Sequence, residues 1–153
     1  MKVLLPRKLF SSLRLETDRI AGKYEIGGVL LGCRRNLDLE IKVATQPSED
    51  DRSSKFRFER RSKHHQIITT KLWKSSDRKI DWVGEWHTHP EKTPSPSLID
   101  INSWRNLVQR HGTGMAFIIL GYEDLWIGTL DSASQSPKQI FLIEESEKYF
   151  LYR

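Results

Sequence analysis

The side chains best suited to chemistry lie in one short segment, where two histidines are separated by a single residue. His87 and His89 follow the short predicted strand Ile80–Trp86, and on a strand this spacing directs both imidazoles to the same face. Two imidazoles on one face can ligate one metal ion from the same direction. A catalytic zinc site usually takes three protein ligands and keeps a fourth position for water. The pair therefore predicts part of a metal site whose third ligand comes from elsewhere in the chain.

Asp100 is the best candidate for the third ligand, because the ten intervening residues let the chain return to the histidines. The sequence predicts that a helix begins in this stretch, with Ser95 as its N-cap and Pro96 at its first position. Ser97 and Asp100 then lie three residues apart on one face of the first turns, and neither is needed as the cap. The alternative is that Ser97 and Asp100, as Ser-x-x-Asp, form a capping box themselves.

Other zinc signatures fit the sequence poorly. It contains no His-Glu-x-x-His motif, and a zinc deaminase would need a Cys-x-x-Cys pair that the single cysteine cannot supply. That cysteine, Cys33, ends an apolar strand, so we interpret it as a buried packing residue rather than a nucleophile. The histidine pair with Asp100 is the metal pattern that remains.

The elements that must position these residues follow from the hydrophobic pattern. Helices are predicted over about 7–20, 62–75 and 96–110, the last stopped by Gly112. The predicted buried stripes are Ile67, Ile68, Leu72 and Trp73 in the second helix, and Leu98, Ile101, Trp104 and Leu107 in the third. Strands are predicted at 27–32, 39–45, about 56–59, 80–86, 115–120, 125–130 and 140–143, with a loop at 46–54. We therefore expect one layered domain of the α/β (α+β) class over residues 1–153.

Composition and charge narrow the setting. The chain has 153 residues, of which 37% are apolar and 29% charged, as is ordinary for a soluble globular protein. No apolar run approaches the ~20 residues of a membrane span, the N-terminus does not resemble a signal peptide, and one cysteine allows no internal disulfide, so a cytoplasmic location is expected. The net charge of +5 includes a basic cluster at Arg57, Arg60, Arg61 and Lys63. We interpret this cluster as a solvated face or a docking patch for an acidic protein rather than a nucleic-acid site.

Taken together, these residues resemble the signature of the JAMM metalloproteases, also called JAB or MPN-plus proteins. That signature is His-x-His-Pro followed by Ser-x-x-Asp, which here are His87, His89, Pro90, Ser97 and Asp100. The family also has an upstream glutamate beside a strand rich in glycine and aliphatic residues, and Glu25, in the run Tyr24–Gly32, matches that element. The resemblance covers roughly residues 20–130. It implies a curved, mixed β-sheet flanked by helices, similar to the deaminase-like architecture.

The resemblance also implies roles for these residues. His87, His89 and Asp100 would hold one Zn2+ per chain, with water as the fourth ligand. Glu25 would take a proton from that water and later pass it to the leaving amine. Ser97 would donate a hydrogen bond to the developing oxyanion. The implied reaction is hydrolysis of an isopeptide or peptide bond after the C-terminus of ubiquitin or a ubiquitin-like protein.

A narrower resemblance is to the small bacterial JAB proteins of CBASS antiphage operons. It rests on the runs Gly84–Pro90 and Pro94–Ser97, and on the preceding Phe56, Arg60 and His65–Gln66. In that group the implied substrate is a cGAS/DncV-like nucleotidyltransferase whose C-terminus is conjugated to target proteins. The expected partner is therefore a conjugated protein, without nucleic acid or membrane.

Other interpretations stay open at this point. A JAB hydrolase that processes a sulfur-carrier-like protein would use the same site, whereas a non-catalytic scaffold like the MPN-minus subunits would lack the ligands. Charge alone suggests a nucleic-acid-binding module. Glu25 could instead be a solvated residue at a strand start, and Glu85 could orient a ligand or be a surface acid. We interpret His111 as favouring the C-terminus of its helix, and His64 and His65 as helix surface or packing.

Overall fold

Strands and three helices make up most of the chain that the structure describes. The computed structural model describes residues 1–20, 23–48, 50–54, 57–59 and 63–153. The helices in these ranges are α1 (Arg7–Ile20), α2 (Lys63–Ser75) and α3 (Leu98–His111). The strands are β1 (Val3–Pro6), β2 (Gly27–Arg35), β3 (Asp38–Ala44), β4 (Arg52–Ser54), β5 (Arg57–Glu59), β6 (Asp81–Thr88), β7 (Met115–Leu120), β8 (Leu125–Leu130), β9 (Lys138–Gln139), β10 (Leu142–Glu145) and β11 (Tyr149–Tyr152).

Strand β6 carries the first histidine and lies inside the main sheet. Within the described ranges this sheet has nine strands in the order β10-β11-β1-β3-β2-β6-β7-β8-β9, and β4 with β5 forms a separate hairpin. β6 pairs antiparallel with β2 and parallel with β7, so the sheet is mixed. The predicted class, a mixed sheet flanked by helices, is confirmed. No helix in the part of the chain that the structure describes is long and apolar enough to cross a membrane.

Strand β7 is buried on both faces, and its successive side chains alternate between two apolar clusters. One cluster contains Leu13 of α1 and Trp86 of β6, and the other contains Trp104 of α3 and Trp126 of β8. A strand covered on both faces is a continuous apolar run in the sequence, which is why its bounds were predicted correctly. Burial of each large aliphatic side chain contributes about 1.5–3 kcal/mol, so β7 joins the two layers firmly.

Trp104 fixes α3 against the strands that lie beneath it. Its ring stacks on Phe117 at 4.4 Å and on Trp126 at 5.4 Å between centroids. The same ring lies 6.1 Å from that of His87. Aromatic pairs at such distances contribute about 0.5–1.5 kcal/mol beyond their buried area. The helix that carries Asp100 is thus held close to the strand that carries the first histidine.

The fully buried residues of helix α2 are polar, whereas the predicted apolar stripe is at most half-buried. Its buried residues are His65 and Thr69, whereas Ile67 is 65% exposed. The prediction is therefore wrong at Ile67. The physical reason is that α2 covers a polar surface, where Thr45 and Asp51 bind the imidazole of His65.

Further departures lie at the ends of elements. Leu98 is 79% exposed instead of facing the core, because it is the first residue of α3 and precedes the buried turns. The predicted loop 46–54 ends in β4, and Cys33 is half-buried rather than fully packed. The errors at Leu98 and at the loop concern the ends of elements, whose bounds are the least certain part of an assignment.

Two strands at the chain ends were not predicted. β1 and β11 pair with each other antiparallel, and β1 continues the sheet through parallel pairing with β3. Each has only four residues, too few for a clear alternation. Phe56 of the predicted third strand, and Arg60 and Arg61 of the basic cluster, lie outside the described residues.

Candidate metal centre and active site

Strand β6 ends between two neighbouring strands, and both histidines lie at this end. Thr88 N donates to Ile26 O at 2.8 Å, and Ile26 N donates to Thr88 Oγ1 at 3.0 Å. On the other side, His89 N donates to Leu120 O at 3.0 Å. His87 and His89 are each 8% exposed, and their Nε2 atoms are 3.0 Å apart. The two imidazoles therefore meet on one face, as their spacing predicted.

The chain between the second histidine and α3 is held against the turn that joins β7 to β8. Tyr122 N donates to Glu91 O at 2.7 Å, and Asp124 N donates to Lys92 O at 3.0 Å. Gly121 allows this approach, because a Cβ there would lie 2.5 Å from Glu91 O and 2.7 Å from Lys92 O. The sheet thus sets the path by which the chain returns to the histidines.

Ser97, and not Ser95, caps α3. Ser97 has extended backbone angles (φ −77°, ψ 167°), and its hydroxyl accepts a hydrogen bond from Asp100 N at 3.2 Å. Its own N donates to Asp100 Oδ2 at 2.7 Å. The prediction of a Ser95 cap with Pro96 in the first turn is therefore wrong, because the helix begins at Leu98. The alternative, a capping box of Ser97 and Asp100, is confirmed.

Asp100 faces both histidines while it closes this cap. Its Oδ1 is 3.3 Å from His87 Nε2, and its Oδ2 is 3.4 Å from His89 Nε2. Ligand atoms at about 2.0–2.1 Å from a tetrahedral zinc are about 3.3–3.4 Å apart, so each imidazole nitrogen has one carboxylate oxygen at the separation of two zinc ligands. Two imidazole nitrogens and a carboxylate are also a donor set that zinc accepts while one position stays open. The three residues therefore fit a zinc ion.

The charges of these groups depend on one another. Burial would raise the pKa of the Asp100 carboxyl, but hydrogen bonds from His87 and His89 hold that pKa well below its usual range. Burial would likewise lower the pKa of His89, yet its hydrogen bond to Asp100 raises it. The site thus favours an ionised carboxylate with positive charge beside it. A divalent cation satisfies the same requirement.

Glu25 lies just before β2, where Gly27 pairs with His87 across the sheet. Glu25 N donates to Ser54 O at 2.8 Å, and the residue is only 7% exposed, so its interpretation as a solvated residue is wrong. Burial raises the pKa of its carboxyl, and the charges of His87 and His89 act in the opposite direction. The structure therefore brings this glutamate within electrostatic reach of the histidines in a buried setting.

Ser54 was missed by the sequence analysis. Its carbonyl holds the Glu25 backbone, and it ends the three-residue strand β4. A strand this short has no alternation of apolar and polar residues, so the sequence carried no signal that could have found it.

Residues 6–129 match the family of prokaryotic homologs of the JAB domain, which is most of the chain. The chain belongs to this family. The match includes every residue of the motifs that carried the resemblance, from Glu25 to Asp100. The expected relation to JAB proteins is therefore confirmed.

Several curated relatives of this JAB domain share the name CD-NTase/cGAS isopeptidase. The relative from Escherichia coli is 42% identical over 105 residues, which are 68% of this chain and 66% of the relative. The relative from Vibrio cholerae is 38% identical with the same coverage. The relative from Pseudomonas aeruginosa is 34% identical over 133 residues, 82% of this chain and 84% of the relative. The match thus spans just under two thirds of the length of the first two relatives.

The JAB domain also resembles a solved structure with little sequence similarity. The solution structure of protein DSY2949 from Desulfitobacterium hafniense superposes with a TM-score of 0.62 at 18% identity, covering 92% of each chain. At this identity the likeness shows the fold alone.

The other histidines of this JAB domain lie on the helices. His111 ends α3, with its ring 5.1 Å from that of Trp82. Burial lowers the pKa of His111 below its ordinary value, and the charges of Asp81 and Glu85 act in the opposite direction. Glu85 therefore acts on His111, while its role in orienting a metal ligand stays a prediction. On α2, His65 is buried and bonded to Thr45 and Asp51, and the neighbouring His64 is exposed.

Proposed function

We propose that this JAB domain is a zinc-dependent isopeptidase. One observation carries the proposal: His87, His89 and Asp100 offer ligand atoms within 4.8 Å of one another, with the buried carboxyl of Glu25 beside them. Burying two carboxyl groups is costly, and such groups with shifted pKa values are concentrated at functional sites. A scaffold without catalysis gives no reason for this arrangement.

The chemistry divides between the ion and the protein. When held by His87, His89 and Asp100, zinc would supply a Lewis acid and would lower the pKa of its water to ~7. The Glu25 carboxylate accepts a proton as water adds to the carbonyl carbon of the isopeptide bond. When the carbon–nitrogen bond breaks, Glu25 returns that proton to the leaving amine. The products are a free carboxylate and an unmodified lysine.

Ser97 takes the role of oxyanion donor in this proposal. Its hydroxyl donates to Asp100 Oδ2 at 2.6 Å in the structure, and a hydroxyl has a single hydrogen to give. Donation to the developing oxyanion therefore requires the Ser97 O–H bond to rotate away from Asp100, while Oγ keeps its place and still accepts from Asp100 N. The capping interaction of its backbone N with Asp100 is unaffected by that rotation.

The proposed substrate is a cGAS/DncV-like nucleotidyltransferase joined through its C-terminus to a target protein in antiphage defence. The support is the shared name of the relatives, together with two exposed aliphatic residues next to the site in sequence. Leu98 and Ile99 are 79% and 60% exposed directly between Ser97 and Asp100 in sequence. Exposed aliphatic side chains beside a site are suited to contact an apolar substrate segment.

The decisive experiment is cleavage of a defined conjugate. A CD-NTase linked to a lysine of a target protein is incubated with the purified domain, and the products are identified by mass spectrometry. We expect an intact CD-NTase with a free C-terminal carboxylate and an intact target. Cleavage elsewhere, or no cleavage in the presence of zinc, would contradict the proposed function.

Metal content is the second expectation. Purified protein should contain about one zinc per chain, because the site offers three ligands of the right types. Removal of the zinc with a chelator should abolish cleavage, and added zinc should restore it. Elemental analysis and the cleavage assay on the same samples measure both. Full activity in a sample without bound metal would refute the role of the ion.

Ser97→Ala separates capping from catalysis. Loss of the cap should cost about 1 kcal/mol of stability, and loss of the oxyanion donor should lower kcat by about 10²–10³-fold. Thermal unfolding and single-turnover cleavage measure the two effects. Ser95→Ala is the matched control, because α3 begins after Ser97, and it should change neither. If Ser97→Ala is destabilised but cleaves at the normal rate, Ser97 serves α3 only.

A further inference from the structure

A buried polar network lies behind the candidate active site, and the proposed mechanism does not use it. His65 Nε2 is 2.8 Å from Asp51 Oδ2, and His65 Nδ1 is 2.6 Å from Thr45 Oγ1. The side chains of His65 and Asp51 are 2% and 0% exposed. We call Thr45, Asp51 and His65 the α2 network, because His65 lies on α2.

The α2 network is too costly to be incidental. A buried histidine–aspartate pair gives up its hydration, and packing an apolar pair in its place is often neutral or stabilising. One role for such a pair is to fix one specific arrangement of the chain, and this role has to be tested in each protein. The question is therefore which arrangement this pair fixes.

Asp51 anchors the start of β4. Its Oδ2 accepts a hydrogen bond from Ser48 N at 3.0 Å, and its own N donates to Ser48 O at 3.0 Å. The same Oδ2 is the atom that contacts His65. The residue that follows Asp51 begins β4. Through Asp51, α2 therefore holds the N-terminal end of this strand.

The other end of β4 holds the backbone of Glu25. Ser54, the last residue of β4, accepts the hydrogen bond from Glu25 N at 2.8 Å. Ser54 is the third residue after Asp51, so the two anchored points are only about 10 Å apart along the extended chain of β4. A shift of Asp51 is therefore expected to move Glu25.

Thr45 ties the α2 network to the strands of the site. Its Oγ1 accepts from Val29 N of β2 at 2.8 Å, and its carbonyl accepts from Trp86 Nε1 of β6 at 3.1 Å. Gly28 leaves room for this contact, because a Cβ there would overlap Thr45 O and lie 2.7 Å from Thr45 Oγ1. The network is thus fixed relative to the sheet that carries His87.

We propose that His65 and Asp51 are positioning residues for the general base: they fix β4 against the sheet, and β4 fixes Glu25 through the carbonyl of Ser54. The inference rests on the proposed function, in which Glu25 transfers the proton. His65 and Asp51 act through β4 and not on the reacting atoms.

His65→Phe tests this by removing both ring nitrogens while keeping an aromatic side chain. We expect kcat for the conjugate to fall by about 10–100-fold, since a misplacement of about 1 Å can cost 10²-fold. KM and bound zinc should stay within about two-fold, because neither the metal ligands nor the substrate surface changes. His65→Gln, which keeps a donor for Asp51, should recover most of the lost kcat.

Thr69→Val is the matched control for general damage to α2. Thr69 is also buried on α2, and its hydroxyl donates to His65 O at 2.7 Å, so the variant weakens the same helix without removing the imidazole. It should lower the unfolding temperature and keep kcat within about two-fold. Equal losses of kcat in Thr69→Val and His65→Phe at equal stability would overturn the inference, and so would loss of zinc from His65→Phe.

Asp51→Asn provides an independent variant if His65→Phe does not fold. It keeps the shape of the side chain and removes its charge, and we expect a fall in kcat with unchanged zinc. Normal kcat in folded Asp51→Asn would overturn the inference. The proposed function is judged separately: it fails if the unmodified protein with zinc does not cleave the conjugate, whereas an active protein with normal His65 and Asp51 variants refutes the positioning alone.

Discussion

Glu25→Gln should lower kcat for cleavage of the conjugate by about 10²–10⁴-fold, because an amide cannot accept the proton that the proposed mechanism assigns to the carboxylate. Glutamine keeps the size of the side chain and leaves the hydrogen bond from the residue 25 backbone to Ser54 O in place. The zinc bound per chain should therefore be unchanged. Single-turnover cleavage and elemental analysis of the same preparation measure the two quantities.

Glu91→Gln is the matched control for that variant. The Glu91 carboxylate lies 3.8 Å from His89 Nδ1, but its side chain is 51% exposed, so water screens its charge. Loss of an exposed ion pair should change kcat by no more than about five-fold. Similar losses in Glu91→Gln and Glu25→Gln would mean that local charge, rather than proton transfer at Glu25, accounts for the effect.

The second large effect is expected at Asp100. Asp100→Asn removes the negative charge from between His87 and His89 and leaves a neutral amide, a poor ligand for zinc. Changes to groups that merely support a ligand already cost about 10–100-fold in metal affinity, so this variant should lose more than about 100-fold. Cleavage should fall together with metal content. Competition with a chromophoric chelator measures the affinity.

Asp124→Asn controls for a general effect on the loop. Asp124 Oδ2 accepts a hydrogen bond at 3.1 Å from Thr93, which lies in the loop that leads to α3. Asp124 is not in the group that could hold a metal. Its zinc affinity should equal that of the unmodified protein. If Asp100→Asn binds zinc as tightly as Asp124→Asn, Asp100 is a helix cap and not a ligand.

The candidate metal site could be predicted because its parts are close in the chain and have simple periods. His87 and His89 share a face through the two-residue repeat of a strand, and ten residues suffice for the return to Asp100. The start of α3 was predicted wrongly, since Ser95 and Ser97 both satisfy the preference for a cap. The docking of the loop on the β7–β8 turn decides between them, and sequence alone does not contain that contact.

The support behind Glu25 could not be predicted at all. Thr45, Asp51 and His65 come from a strand end, a loop and a helix, and no spacing links them. From sequence alone, Ile67 would be expected to face the interior and His65 the solvent, because apolar residues are usually the buried ones. The polar face of α2 becomes visible only when its partners are in place, which is a case of tertiary contacts overriding local pattern.

The Asp100 carboxylate of the α3 capping box takes part in two equilibria, the ordering of the helix turn and the binding of the proposed ion. Asp100 orders the first turn of the helix and, in the proposed site, also binds the ion, so opening of that turn and release of the ion are thermodynamically linked. Linkage is reciprocal: whatever free energy an ordered turn gives to binding, binding gives back to the turn. The backbone amide of Asp100, which is bonded to Ser97 Oγ, should therefore exchange more slowly with solvent deuterium as zinc is added. The exchange rate of this amide should therefore report how much of the site is occupied by zinc, in an assay without substrate.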